Sequence, residues 1–166
     1  MTTTIESSFG ARLMVRGFLL NNQLTDFSFS PTANGRPMAN RVEPGKRPRS
    51  SMAPMLVFDA DGTLRLVIGS PCGSLIINYV LKALVAVLDW KLDVQAAIDL
   101  PNIGSRNGPT ELERSTAAEG LAAALAAMGH PVRVMDMTSG MHGILRTPAG
   151  WSGGADPRRE GVARGE

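Results

Sequence analysis

Apolar residues crowd together between Val67 and Leu88, and the run is broken at Gly69-Ser70-Pro71-Cys72-Gly73. The part before the break has strand length and the part after it has helix length. A glycine-bearing bend at a helix start leaves several backbone N–H groups without intrahelical partners. Such a bend suits an anion or a developing oxyanion. A tight connection into a buried helix accounts for the same letters.

Around this stretch the pattern predicts a series of elements. Met55–Phe58 and Leu64–Ile68 flank Asp59-Ala60-Asp61-Gly62, the clearest hairpin signal in the chain. Both runs are continuously apolar, which predicts strands covered on both faces. A core helix is expected from about Ser74 to Leu88, and a shorter one through Leu100 with Asp93 as its N-cap and Pro101 as its stop. Glu111–Glu113, Val132–Met135 and Gly143–Arg146 read as short strands. Thr116–Met128 reads as a helix closed by Gly129. Residues 2–6 read as a strand without a preceding neighbour, which predicts an exposed sheet edge or apolar face there. Pro31–Pro48 is aperiodic and reads as a long loop, and Gly153–Arg158 as a glycine-rich tail. Strands, then helices, then strands indicate an α+β layered domain.

Composition adds mainly exclusions. A chain of 166 residues fits one domain, and a net charge of +2 gives no reason to invoke nucleic acid or a membrane surface. The single cysteine, Cys72, excludes an internal disulfide and a Cys-rich metal site, and His130 and His142 are too isolated for a zinc set. No metal or cofactor is expected. No secretory signal pattern opens the sequence, and the core helix is too short to span a bilayer.

Candidate chemistry lies in four places. Thr2 could act as an N-terminal nucleophile if Met1 were removed, although a β-branched strand explains the same residues. Gln23 and Asp26 could hold an ammonium group, or form an ordinary polar turn. Ser50 and Ser51 could bind a carboxylate, and the basic run Lys46–Ser51 could be a phosphate patch or a solvated loop. The amides at Cys72 and Gly73 could serve a reacting carbonyl. Together, the last three places could bind a zwitterion, with the acid on its amine, the hydroxyls on its carboxylate and the turn amides on a reacting carbonyl.

The blocks Leu19–Ser28, Lys46–Pro54, Gly69–Ser74 and Gly154–Arg158 resemble, in order and spacing, the small C-terminal subunit of the γ-glutamyltranspeptidase family. The resemblance implies an Ntn-hydrolase-type αββα sandwich, with residues 1–166 as an incomplete small-subunit domain. It implies γ-glutamyltransferase and glutathione hydrolase activity through a γ-glutamyl-enzyme. Substrates would be glutathione and other γ-glutamyl compounds, the acceptor would be water, an amino acid or a peptide, and the partner a large subunit from the same precursor. By the resemblance, Gln23 and Asp26 hold the substrate amine, Ser50 and Ser51 its carboxylate, and Cys72 and Gly73 form the oxyanion hole. Thr4 matches a threonine that contacts the nucleophile. Full-length members of the family are expected in the periplasm or outside the cell.

Three departures stand out. The family's nucleophile lies in a segment upstream of Met1, so the chain alone is expected to be inactive. Cys72 stands where the family has glycine, a strained substitution if that position needs φ > 0. Glu6 stands where many members have asparagine, which could strengthen amine binding or shift preference toward a glutaryl or cephalosporin-type acylase substrate. A non-catalytic amino-acid-binding module is the remaining alternative.

Overall fold

The computed structural model of the chain describes residues 2–7 and 9–165. The chain divides into two compact units, Met1–Ser50 and Ser51–Glu166. Among the described residues no helix is long and apolar enough to cross a membrane.

The first unit is built from turns. Strands β1 (Met14–Val15) and β2 (Phe18–Leu19) form one small hairpin, and β3 (Thr32–Ala33) and β4 (Arg36–Pro37) another. A 3₁₀ turn, Gln23–Asp26, lies between them, followed by Phe27, a buried apolar side chain. The expected loop from Pro31 therefore contains a hairpin, and Ser28 bridges to Arg41. The expected strand at residues 2–6 does not form. Its backbone bonds to Asn22 and to the Gly10 N–H instead of to a ladder. Asn22 accepts the Glu6 N–H at 3.0 Å, donates to the Glu6 carbonyl at 3.5 Å, and its own N–H reaches the Thr4 carbonyl at 3.2 Å. Apolar exposure begins within the segment at Ile5 and continues at Phe9, Met14 and Phe18.

The second unit carries the main core. Strands β5 (Met55–Phe58) and β6 (Leu64–Gly69) form the predicted hairpin. Gly62 supplies φ +82°, and the Asp61 carboxylate accepts the Thr63 N–H at 2.9 Å. With β10 (His142–Thr147) and β11 (Gly150–Ala155) they make an antiparallel sheet in the order β11-β10-β6-β5. A 3₁₀ turn (Gly73–Leu75) leads into helix α1 (Ile76–Leu88), which buries Ile76, Tyr79, Val80, Ala83, Ala86 and Val87. That is the three-and-four spacing of one helix face. These residues cluster with Leu66 and Ile68 of β6 and with Val94, Ala97 and Ile98 of α2 (Val94–Asp99). Asp93 caps α2 as expected, accepting the Ala96 N–H at 2.9 Å.

Two expectations need correction. The apolar strands are covered on one face only. Leu56, 58% exposed, and Ile144 lie in register with Val67 on the face away from Leu66 and Ile68. Strand β5 is an edge with a single neighbour, and the helices pack on the other side. The glycine-rich segment is likewise no tail, because Gly150–Ala155 is strand β11. A Cβ on Gly154 would lie 3.2 Å from the backbone of Gln95, so glycine lets α2 sit directly on this strand. Gln95 completes the contact, its amide exchanging two hydrogen bonds with the Ala155 backbone at 3.0 Å.

A three-stranded sheet of β7 (Ile103–Gly104), β8 (Thr110–Glu113) and β9 (Val132–Met135) completes the unit. Strands β8 and β9 are parallel, and the chain passes between them through α3 (Ala122–Ala127). Gly129, φ +87°, follows that helix as predicted.

Candidate functional site

The first unit holds Thr4, Glu6, Gln23, Asp26 and Ser50; the second holds Ser51, Cys72 and Gly73. In the first unit, Asn22 ties Thr4 and Glu6 to the start of the Gln23–Asp26 turn. The Gln23 N–H is anchored on the Asn21 side chain at 3.1 Å. Asn40 works at the other end of the turn. Its amide donates to the Asp26 carbonyl at 2.7 Å and its oxygen accepts the Arg49 N–H at 2.9 Å. One side chain thus holds the polar turn against the segment leading to Ser50.

Between them opens a pocket of about 580 Å³, lined by Gln23, Leu24, Phe27, Lys46, Arg47, Pro48 and Ser50. Gln23 and Ser50 therefore share one concavity, while Asp26 lies just outside its lining. The Lys46 charge is largely matched. It pairs with Glu43 at 2.5 Å and donates to the Ala39 carbonyl at 3.1 Å, and Glu43, also in contact with Arg41, is held below the usual carboxylate range, first by Lys46. The solvated-loop reading of this run fits Lys46 better than a phosphate patch. Thr4 is buried, whereas Thr2 and Glu6 are exposed. The idea of Thr2 as an N-terminal nucleophile turns on Met1, which lies outside the described residues.

In the second unit the β5–β6 pairing matches Met55 with Ile68 and sets Pro54 beside Gly69. The Ser51–Pro54 stretch therefore enters the sheet where the Gly69–Gly73 bend leaves it. Cys72 has φ +99° and Gly73 φ +63°, two successive left-handed residues. A Cβ in that region costs about 1 kcal/mol or more, so the strain expected of cysteine at this place is present. Among the described residues, neither the Cys72 nor the Gly73 N–H donates to a protein acceptor. Two free, consecutive donors at the entrance to a helix are what a developing oxyanion requires. The Cys72 Sγ lies 3.0 Å from the Arg159 guanidinium and 3.6 Å from the Thr138 hydroxyl.

Sequence reading missed the polar ring that carries the end of the chain. Asp156 is buried, accepting from the Ser139 hydroxyl, from the Met141 N–H at 3.0 Å and from the Arg158 guanidinium at 3.1 Å. Burial alone would raise its pKa, but these donors together hold the carboxyl below its ordinary value. Arg158 also pairs with Glu113 and donates to the Ile98 and Leu100 carbonyls. Glu113 accepts the Asn102 N–H at 2.6 Å, and the Asn102 side chain joins Ser139 to Lys82. The only sequence signal was the block Gly154–Arg158, which gave no role to its charges. Among the described residues, no three His, Cys, Asp or Glu side chains are grouped to hold a metal ion.

The profile of the family described as gamma-glutamyltranspeptidase matches residues 1–166. The glutathione hydrolase proenzyme of Bacillus subtilis (strain 168) is 34% identical over 171 residues, covering 99% of this chain and 28% of its own length. That of Escherichia coli (strain K12) is 37% identical, covering 95% of this chain and 29% of its own. The acylase ACY 1 proenzyme of Pseudomonas sp. (strain SE83) is 34% identical, covering 93% and 27%. The chain thus spans under a third of these curated relatives. Among solved structures, the gamma-glutamyltranspeptidase from Pseudomonas nitroreducens complexed with L-DON is similar at TM-score 0.80 and 29% identity, covering 100% of this chain and 92% of that one. An acivicin-inhibited gamma-glutamyltranspeptidase is similar at TM-score 0.78 and 31% identity, covering 96% and 92%.

Proposed function

The chain belongs to the γ-glutamyltranspeptidase family, and from that premise we propose that it serves as the small-subunit portion of a γ-glutamyltransferase/glutathione hydrolase. Its fold is α+β, the small-subunit portion of an Ntn-hydrolase-type sandwich. The observation that carries the activity is the Cys72–Gly73 bend, with two consecutive N–H groups that, among the described residues, lack protein acceptors. In the proposed reaction a nucleophilic hydroxyl adds to the γ-glutamyl carbonyl, and the oxygen that gains charge is stabilised by those two donors. The C–N bond then breaks and the protonated amine leaves. Water or an acceptor amine attacks the ester, and the nucleophile is released. Gln23 and Asp26 are assigned to the substrate amine, Ser50 and Ser51 to its carboxylate, and Thr4 to the nucleophile's surroundings.

The partner is a large subunit of the same precursor. The short span relative to the proenzymes supports this, as does the apolar row across the sheet in which exposed Leu56 and Ile144 flank half-buried Val67. Exposed sheet faces of this kind mark surfaces that another element covers. Hydrolysis of a γ-glutamyl anilide by the chain together with its large subunit tests the proposal. Turnover that falls at least tenfold in Asp26→Ala is expected. Its absence in the assembled protein would overturn the reading, and turnover by residues 1–166 alone would overturn the need for a partner.

Glu6 and the 34% identity to an acylase proenzyme favour a second reading, an acylase of glutaryl-type side chains. Comparing γ-glutamyl with glutaryl anilides in the same preparation separates the two, because only the former carries the amine that Gln23 and Asp26 would hold.

A further inference from the structure

We propose that Arg159 is a positioning residue for the oxyanion bend, a clamp that holds Cys72 in its left-handed conformation. The inference rests on the function proposed above. Cysteine at φ +99° is under backbone strain that glycine would not feel. Something must hold the bend open, and the structure places a guanidinium there. Arg159 Nη2 lies 3.0 Å from Cys72 Sγ, and Arg159 Nε donates to the Thr138 carbonyl at 3.3 Å. The Thr138 hydroxyl also faces the sulfur, at 3.6 Å. The planar fork therefore bridges the thiol to a neighbouring segment, a geometry that a lysine ammonium cannot copy.

Two further features fit the clamp. Gly140 has φ +73°, and a Cβ on it would lie 2.5 Å from Arg159 Cδ and 3.0 Å from Pro71 Cγ. Glycine there opens the channel through which the arginine stem passes beside the bend. The root of that stem is firm. The Arg159 N–H donates to the Asp156 carbonyl at 3.3 Å, and Asp156 is itself fixed in the buried polar ring. The side chain thus carries the rigidity of the core out to the strained residue.

The test is a double-mutant cycle between Arg159 and Cys72 in the assembled protein, read by kcat, KM and melting temperature. Arg159→Ala is expected to lower kcat on a γ-glutamyl anilide about tenfold with KM within twofold, as for a lost transition-state interaction. Arg159→Lys is expected to do nearly the same. In a Cys72→Gly background, where the bend needs no clamp, Arg159→Ala is expected to change kcat and melting temperature by no more than the error. An equal loss in both backgrounds, or a melting-temperature coupling without any kcat effect in an active enzyme, would overturn the positioning role alone. A wild-type assembly without γ-glutamyl turnover would overturn the functional reading, and the clamp's catalytic role with it.

Discussion

Asn40 donates its side-chain amide to the Asp26 carbonyl at 2.7 Å, across fourteen residues of chain. Through its oxygen it also holds the Arg49 N–H. The pocket shared by Gln23 and Ser50 therefore depends on a residue that lines none of it. Asn40→Ala removes both bonds, each contributing about 1 kcal/mol net. It is expected to raise KM for γ-glutamyl substrates several-fold while leaving kcat within a factor of two. Steady-state kinetics on the assembled enzyme checks this. Asn40→Asp keeps the acceptor and loses the donor, so it should fall between.

Asp156 is the most enclosed charge in the second unit, 1% exposed and served by four donors. Removing the carboxylate strands the Ser139 hydroxyl and the Met141 N–H, at about 2–6 kcal/mol for the two buried donors together, while Arg158 keeps its pair with Glu113. Asp156→Ala should therefore strip that much from the unfolding free energy, measured by denaturant titration. Because the folded-state pKa of Asp156 is lowered, its contribution is fully present above the ordinary carboxylate range and is lost as pH falls from there through the lowered folded-state value. Wild type and variant should converge in stability toward acid pH.

The elements read correctly from the sequence were those written in local chemistry. Asp61-Gly62 dictates a turn, Asp93 caps a helix, Gly129 ends one, and the long apolar run after Gly73 makes a core helix. What could not be read were partnerships at long range. Nothing near residues 2–6 says that Asn22, sixteen positions beyond Glu6, will take the place of a neighbouring strand. Nothing in Gly153-Gly154 says that a helix backbone rests on it, so the pair resembles a flexible tail. At the candidate site, the left-handed bend was a conditional expectation, raised by cysteine standing where the resembled family has glycine. The clamp on it was not legible, since Arg159 lies eighty-seven residues away.

Gly154 gives a direct check on the strand-for-tail correction. A methyl group there would sit 3.0 Å from Ile98 Cδ1 and 3.2 Å from the Gln95 backbone. The side chain of Ile98 can move; the helix backbone cannot without breaking the Gln95–Ala155 pair. Gly154→Ala is expected to destabilise by about 1–3 kcal/mol, the usual cost of overpacking. Gly165→Ala, which meets nothing within 4 Å, should be silent. Thermal melts of the two variants decide the point.

Lys82 offers a pH test with a definite sign. Its ammonium donates to the Ile98 and Leu100 carbonyls at 3.1 and 2.6 Å and to Asn102 at 3.0 Å. Burial, with a further push from Arg158, lowers its pKa from 10.5 to about 8, while Asp156, Glu113 and Asp99 partly offset the shift. Between about pH 8 and 10 the unfolded chain binds a proton at this site that the folded chain has released. Stability from this group therefore rises with pH across that window, by up to about 1.4 kcal/mol per pH unit. Burial raises the Tyr79 pKa from 10.0 to about 12, so that group opposes the trend only above about pH 10. Denaturant titrations at pH 7.5, 8.5 and 9.5 should show a wild-type slope that is absent from Lys82→Met. Parallel lines for the two proteins would mean that Lys82 keeps its proton throughout, and that its three acceptors outweigh the cost of burying the charge.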